Sequence, residues 1–337
     1  MKEDDSVFVA TDEESKEAPR KKRVLVDFSS PNIAKNMHVG HLRSTIQGDS
    51  TCRIFEFLGY EVHRVNHVGD WGTQFGMLIG ELDLNFPDFL DNPPEISDLQ
   101  SFYQNAKKRF DQDPEFKATA HANVVKLQAG EDHCIKGWQM LCNLSRKEFD
   151  KIYDRLDIRL TEVGESFYNP MLRPMVDELK ESGVAVENDG AICIFVPKNK
   201  VPLIIQKSDG GFNYDTTDMA ALRYRVNEVK ADRVVYVTDK GQEFHFKLIF
   251  LGGIKANFYD AKKTILNHMQ FGTVMSEVPV LDEATKEPVI DKKTGKPKTK
   301  LEKMKTRSGD TVKLADLLDE AKRRAMVILK ERLEHQA

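Results

Sequence analysis

Cysteine is scarce in this chain: Cys52, Cys134, Cys142 and Cys193 are the only four, and no two are spaced as CxxC. The pattern reads as reduced, mostly buried thiols of a cytosolic protein. Long apolar runs are missing too, so no transmembrane helix is expected. Residues 1–23 are dense in Asp, Glu, Lys and Arg, with one short apolar patch at Val7–Ala10. Lacking the apolar centre of a secretory signal, they read as a solvated, disordered lead-in. An excess of positive charge is also absent, because 50 Lys and Arg face 54 Asp and Glu for a net charge of −4. The molecule as a whole therefore carries no nucleic-acid signature, and any RNA contact must come from local basic segments. No internal repeat is found. A cytoplasmic chain with no membrane association is expected.

What is present is enough to build a real core: 337 residues, 40% of them hydrophobic, suit one large or two ordinary domains. The apolar run Val24–Phe28 reads as a buried parallel strand, broken by Ser29-Ser30-Pro31-Asn32. A helix is expected from about Gly40 to Leu58, with Leu42, Ile46, Ile54, Phe57 and Leu58 on its apolar face and Gly59 as its stop. Glu61–Asn66 reads as a second strand, followed by the loop Gly69-Asp70-Trp71-Gly72. Strand, loop, helix and strand open a doubly wound α/β fold.

The alternation then stops. Residues 84–200 read as an insertion entered through Pro87, Pro93 and Pro94. Within it, a helix over about 133–156 carries Ile135, Trp138, Leu141, Ile152 and Leu156 on one face. Gly183 ends another helix, and Asn188-Asp189-Gly190 reads as the turn of a hairpin between Val184–Val186 and Ile192–Val196. Alternation returns with a strand at Val201–Ile205, a helix at Asp215–Glu228 and a strand at Arg233–Thr238. Residues 276–302 are lysine-rich with a turn at Thr294-Gly295 and read as an exposed, mobile hairpin, and Leu314–Arg332 reads as a helix.

Two constellations carry chemistry. His38-Val39-Gly40-His41 lies between a buried strand and a helix start. Backbone N–H groups and the helix dipole there favour anions, and a glycine permits close approach of a phosphate. An HxxH pair is also compatible with a metal, but a structural zinc would need more ligands and no cysteine is nearby. The second is the basic loop Lys303-Met304-Lys305-Thr306-Arg307-Ser308-Gly309. Flexible cations there could close on a polyphosphate leaving group. Each alone is equally a pair of surface histidines or a solvated charge run.

In order along the chain, the two resemble the HIGH and KMSKS signatures of class I aminoacyl-tRNA synthetases. The longer phrases DFSSPNIAKNMHVGHLRST, NHVGDWGTQFGMLI, KSDGGFNYDTTDMAA and KTRSG resemble arginyl-tRNA synthetases over roughly residues 24 to 325. The resemblance implies an α/β fold: a doubly wound parallel sheet of Rossmann type with an inserted α+β connective domain. Residues 24–83 and 201–275 would be the two halves of the catalytic domain, 84–200 the connective insertion, 276–302 a lysine-rich insertion, and 303–337 the KMSKS-like loop and following helix. The anticodon-binding domain of full family members would be absent, so the chain reads as a fragment or a short form.

The family pattern also implies roles. Asp27, Asn32, His38, Tyr214, Asp218 and Gln242 would hold the substrate arginine, whose planar fork of donors suits paired carboxylates. His38, Gly40, His41, His268, Lys303 and Lys305 would meet ATP, with His245 near the adenosine. Lys35, His38, His41, Lys303, Lys305 and Arg307 would assist catalysis. Thr306 stands where KMSKS has its second lysine, and Lys35, just before the HIGH motif, would replace that cation. Trp71 and Gln74 belong to a family phrase near the active site, although Trp71 reads equally well as a packing residue. The implied reaction joins L-arginine to tRNA(Arg) with ATP as substrate, on a monomer. Mg2+ would be held chiefly by phosphates, with no protein metal site. The rival readings are a non-catalytic synthetase-like binding protein, or a free-standing nucleotidylyltransferase, which also uses HxGH but needs no arginine-site residues.

Overall fold

A computed structural model describes residues 21–334, apart from 95, 97, 273–274, 283–284, 286, 292–293 and 304–312. The chain opens with β1 (Arg23–Asp27), α1 (Val39–Phe57) and β2 (Glu61–Asn66). It then leaves the sheet for α2 (Gln74–Asn85), α3 (Leu99–Gln112), α4 (Pro114–Gln128) and α5 (Asp132–Arg155). After β3 (Thr161–Glu162) and α6 (Glu165–Glu181) come three strands, β4 (Val186–Asn188), β5 (Ala191–Ile194) and β6 (Leu203–Gln206). The second part holds α7 (Tyr214–Asn227), β7 (Arg233–Asp239), a 3-10 turn at Lys240–Gln242, α8 (Glu243–Lys255) and β8 (Ile265–Phe271). The hairpin strands β9 (Met275–Pro279) and β10 (Thr299–Lys303) precede α9 (Leu314–Glu334). Among the described residues, no helix is long and apolar enough to cross a membrane.

The main sheet is parallel throughout, in the order β3-β2-β1-β7-β8. Its centre is buried on both faces, as expected for a strand covered by helices on both sides. Val24, Val26 and Phe28 pack toward Cys52 of α1, whereas Leu25 packs with Tyr236 and Phe246 on the opposite face. The chain winds outward from β1 in both directions, so the strand order reverses between β1 and β7. In open α/β sheets, ligands bind at that point, beyond the carboxyl ends of the strands.

The helix after β1 forms as expected, but it buries a different face. Ile46, Ile54, Phe57 and Leu58 are exposed, Phe57 by 90%, while Ser44, Thr45, Gly48, Asp49 and Cys52 are buried. The reason is close approach. A Cβ on Gly48 would strike the Phe28 ring, and the hydroxyl of Ser44 donates to Val237 O at 2.6 Å while accepting from Ser29 N at 2.9 Å. Small and polar residues dock α1 by hydrogen bonds where larger apolar side chains would hold it off.

The four helices α2–α5 share one core, which includes Phe75, Leu78, Phe102, Phe116, Leu141 and Ile152. The border expected between residues 83 and 84 falls inside α2. Asp98 and Asp113 cap α3 and α4 by accepting from the first backbone N–H groups, and Pro114 opens α4. Neither helix had been read from the sequence. The same core takes in Ile33, Ala34 and Met37 from the loop after β1, and Leu314 at the start of α9.

Asn188↔Ala191 closes the β4–β5 hairpin. Asp189 and Gly190 both take positive φ, +50° and +76°, as a two-residue primed turn requires. The strand expected at Val201–Ile205 forms as β6 and pairs antiparallel with β5 rather than joining the parallel sheet. The edge of the parallel sheet beyond β2 is the two-residue β3. All four cysteines are buried and free.

Candidate active site

The two histidines of the HxGH motif form the start of α1. His38 is its N-cap: Nδ1 accepts from Gly40 N at 3.0 Å, and His41 Nδ1 accepts from His38 N at 3.0 Å. The rings stack 4.0 Å apart. With both Nδ1 atoms used as acceptors, the neutral rings carry their protons on Nε2, which leaves an N–H on each to donate. Burial lowers the His38 pKa, partly opposed by Asp239. Burial, then His38 and Lys35, push His41 down to about 3. Both rings are therefore neutral donors at physiological pH. The Gly40 N–H, expected to face a phosphate, is instead spent on His38. What Gly40 supplies is room, since a Cβ there would lie 2.8 Å from His38 Cε1.

His38 and His41 line a cavity of about 780 Å³ together with Asn32, Lys35, Tyr103 and Lys313. Lys35 is held 5.0 Å above the Tyr103 ring of α3, and Asn36 N donates to Gln100 Oε1 at 3.1 Å. Leu314 N donates to Met37 O at 3.0 Å, so the chain that emerges from the basic loop docks on this same segment. Lys303 ends β10, while Lys305, Thr306 and Arg307 lie outside the described residues. Asn32, expected at the arginine, lines this cavity. A Cβ on Gly69 would strike its Oδ1, which explains the glycine in that loop.

A second group of residues lies across the switch point and forms a continuous line of charged and polar contacts. Asp27 Oδ2 lies 2.7 Å from Arg225 Nη2, and Asp27 Oδ1 accepts from the Ser30 hydroxyl at 3.0 Å. The same Arg225 nitrogen donates to His67 Nδ1 at 3.3 Å. His67 Nε2 stands 3.7 Å from Asp218 Oδ1. Asp218 Oδ2 is 2.6 Å from His245 Nε2, and His245 Nδ1 is 3.1 Å from Asp215 Oδ1. Burial opposes the Asp218 charge, but His245 and His67 outweigh it and lower the pKa. Burial works against the His245 charge as well, yet the bonds to Asp215 and Asp218 lift its pKa to about 9. Glu165 sits nearby, raised to about 8 by burial and then by Asp218 and Asp70.

The sequence singles out Asp27, Tyr214, Asp218 and His245 among these residues, but not Asp215, Arg225 or His67. An arginine in the last turn of a helix reads locally as a solvated charge, yet Arg225 is 1% exposed. His67 lay inside one of the recognised phrases, NHVGDWG, and that was the available signal. Tyr214 opens α7 with its ring 5.2 Å from that of His245. Gln242 is exposed, just before α8. His245 contacts Asp218 and Asp215, and His268 on β8 contacts Thr238 Oγ1 on β7 at 2.7 Å. Trp71 packs edge-on against Trp138 at 5.6 Å, and Gln74 donates to its carbonyl at 3.3 Å.

The family model for tRNA synthetases class I (R), catalytic domain, matches residues 5–282 and 293–336. The cytoplasmic arginine–tRNA ligase of Gallus gallus is 51% identical over 313 residues, covering 93% of this chain and 44% of that protein. The arginine–tRNA ligase of Crocosphaera subtropica is 53% identical over 320 residues, covering 93% and 51%. The chain thus spans about half the length of the curated relatives that it matches. Among solved structures, the arginyl-tRNA synthetase of Plasmodium falciparum aligns with a TM-score of 0.76 at 44% identity, over 94% of this chain and 48% of that one. The Thermus thermophilus enzyme, at 21% identity and a TM-score of 0.64, shares the fold over 94% of this chain and 56% of that one. With the family model matched along nearly its whole length, the chain belongs to the class I arginyl-tRNA synthetase family, in its catalytic domain.

Proposed function

We propose that this chain is an arginine–tRNA ligase acting in two steps. The carboxylate of L-arginine attacks the α-phosphate of ATP, releasing pyrophosphate and forming arginyl-adenylate. The terminal ribose of tRNA(Arg) then takes the arginine, through its 2′-OH as in class I enzymes generally. The observation that carries this reading is a division of labour at the switch point. One subsite, His38, His41 and Lys35, offers donors and a cation suited to phosphates. The other, centred on Asp218, offers carboxylate oxygens suited to a guanidinium.

On this reading, no side chain acts as a nucleophile, and in-line positioning with charge stabilisation carries the reaction. The Nε2–H groups of His38 and His41 donate to phosphate oxygens. Lys35 balances charge as pyrophosphate leaves, assisted by Lys303, Lys305 and Arg307. Tyr214 and Gln242 border the arginine, and His268 and Gly40 border the nucleotide. Mg2+ accompanies ATP, held by the phosphates. The monomeric state and the cytoplasmic location belong to the same proposal. The location is supported by the name of the Gallus gallus relative.

Arginine-dependent exchange of labelled pyrophosphate into ATP, with and without tRNA(Arg), tests the reading. Exchange that requires arginine, and ignores lysine and citrulline, is the expected result. No exchange under either condition would favour the non-catalytic binding protein.

A further inference from the structure

Both ring nitrogens of His245 face carboxylates, Nε2 toward Asp218 Oδ2 at 2.6 Å and Nδ1 toward Asp215 Oδ1 at 3.1 Å. A neutral imidazole has one N–H and one lone pair. One of these contacts would then set a lone pair against a carboxylate oxygen in a site where the three side chains are only 14–20% exposed. With Nε2 hydrogen-bonded to Asp218 and Nδ1 at ion-pair distance from Asp215, the geometry favours a ring protonated on both nitrogens, an imidazolium.

Two consequences follow for Asp218. Its Oδ2 is fixed by a short charge-assisted bond. Among the described residues, its Oδ1 has one ion-pair contact, with His67 at 3.7 Å, beyond hydrogen-bond length. Along the line of contacts, the three carboxylates Asp27, Asp215 and Asp218 face the two cations Arg225 and His245. One negative charge is left over, which is what a single guanidinium would neutralise. With a neutral ring at position 245, two would be left. The other groups around this site leave the count at neutral pH unchanged: Glu165, beside Asp218, has its pKa raised to about 8 by burial and then by Asp218 and Asp70, which favours its uncharged form. Tyr214 of α7 and Phe246 of α8 present their rings at 5.2 Å, and His268 of β8 is held neutral by burial. His67 is likewise neutral by burial, and Asp239 and Glu243 act on the neighbouring His268.

Resting on the reading that arginine is the substrate, we propose that His245 is a specificity-determining positioning residue. Its imidazolium pins Asp218 Oδ2, leaves Oδ1 for the incoming guanidinium, and sets the net charge of the subsite to accept one cation.

The test uses the whole chain, with His245→Ala and the milder His245→Asn. Arginine binding is measured by calorimetry, and the Michaelis constants for arginine and ATP are measured separately by pyrophosphate exchange. Loss of one partner of a buried charged pair weakens arginine binding by about 30-fold or more, while the constant for ATP stays within about twofold. Added imidazole should restore part of the arginine affinity of His245→Ala. In the wild-type chain, the nitrogen-15 spectrum of His245 at neutral pH should show both ring nitrogens protonated, a readout that survives even if the variants fold poorly. A wild-type ring with one bare nitrogen overturns the proposal. So does a His245→Ala chain that binds arginine like the wild type, or one in which both constants rise together. A wild-type chain that neither binds arginine nor exchanges pyrophosphate would instead overturn the functional reading, and the role of His245 with it.

Discussion

Arg225 Nη2 lies 2.7 Å from Asp27 Oδ2, so the carboxylate that closes the central strand already holds a guanidinium of the protein's own. The pair is buried, with Arg225 also stacked over the Tyr236 ring at 5.2 Å. Asp27 was expected to grip the substrate directly. Its partners in this structure are Arg225 and Ser30, and from it the line of contacts runs to His67, Asp218 and His245.

Arg225→Met should therefore destabilise the fold by about 3–5 kcal/mol, because it strands a buried carboxylate. Combining it with Asp27→Leu should recover much of that loss, since the unpaired charge is gone. Urea unfolding of both single variants and the double variant measures the coupling. Additive losses would show that the pair is not an energetic unit.

Lys35 is exposed and makes its one described ring contact with Tyr103. Lys35→Ala should cost under about 0.5 kcal/mol of stability. If Lys35 balances charge at the departing pyrophosphate, the same change should lower turnover by about 100-fold or more and leave arginine affinity nearly unchanged. Thr306→Lys in that background should restore part of the rate. Wild-type turnover in Lys35→Ala would remove Lys35 from the mechanism.

Gly48 is where α1 touches β1 most closely. Gly48→Ala should destabilise by about 1–3 kcal/mol, because a methyl group would meet the Phe28 ring and the helix would have to lift. Gly272→Ala meets nothing within 4 Å and serves as the control. Equal melting temperatures for the two variants would contradict this packing.

Stability should fall on both sides of a plateau in pH. His38, His41, His67 and His268 all have folded pKa values lowered from 6.5, His41 to about 3. Below 6.5 the unfolded chain takes up protons that the folded chain refuses, so stability drops as the pH falls. His245 works in the opposite sense. Its folded pKa, about 9, exceeds the unfolded 6.5, so its contribution is complete below 6.5 and is lost as the pH rises through about 9. Each proton contributes a slope of at most about 1.4 kcal/mol per pH unit. Melting curves from pH 5 to 10, a range of roughly this linkage window, should show that His245→Asn makes the alkaline limb shallower, while Glu165, raised to about 8, and the buried thiols, raised above their ordinary value, supply the alkaline loss that remains. An alkaline limb of unchanged slope in the variant would separate it from His245.

Elements whose signal is local were legible along the chain. The Val24–Phe28 run, the stop at Gly59, the helix before Gly183 and the Asn188-Asp189-Gly190 turn each depend on neighbours within a few residues, and each formed within a residue or two of where it was read. The motif phrases likewise marked His38, His41 and Asp218. Tertiary structure decided the rest. Which face of α1 is buried depended on Phe28 and Val237 meeting Gly48 and Ser44. Whether β6 joined the parallel sheet depended on β5. Above all, a charge tells nothing about its partner: Arg225 on Asp27, and His245 between Asp215 and Asp218, come from separate elements brought together by folding. Periodicity is written in near neighbours, but the protonation and aim of a buried charge are set by whichever distant residue the fold brings within about 3 Å, where desolvation makes the pairing strong.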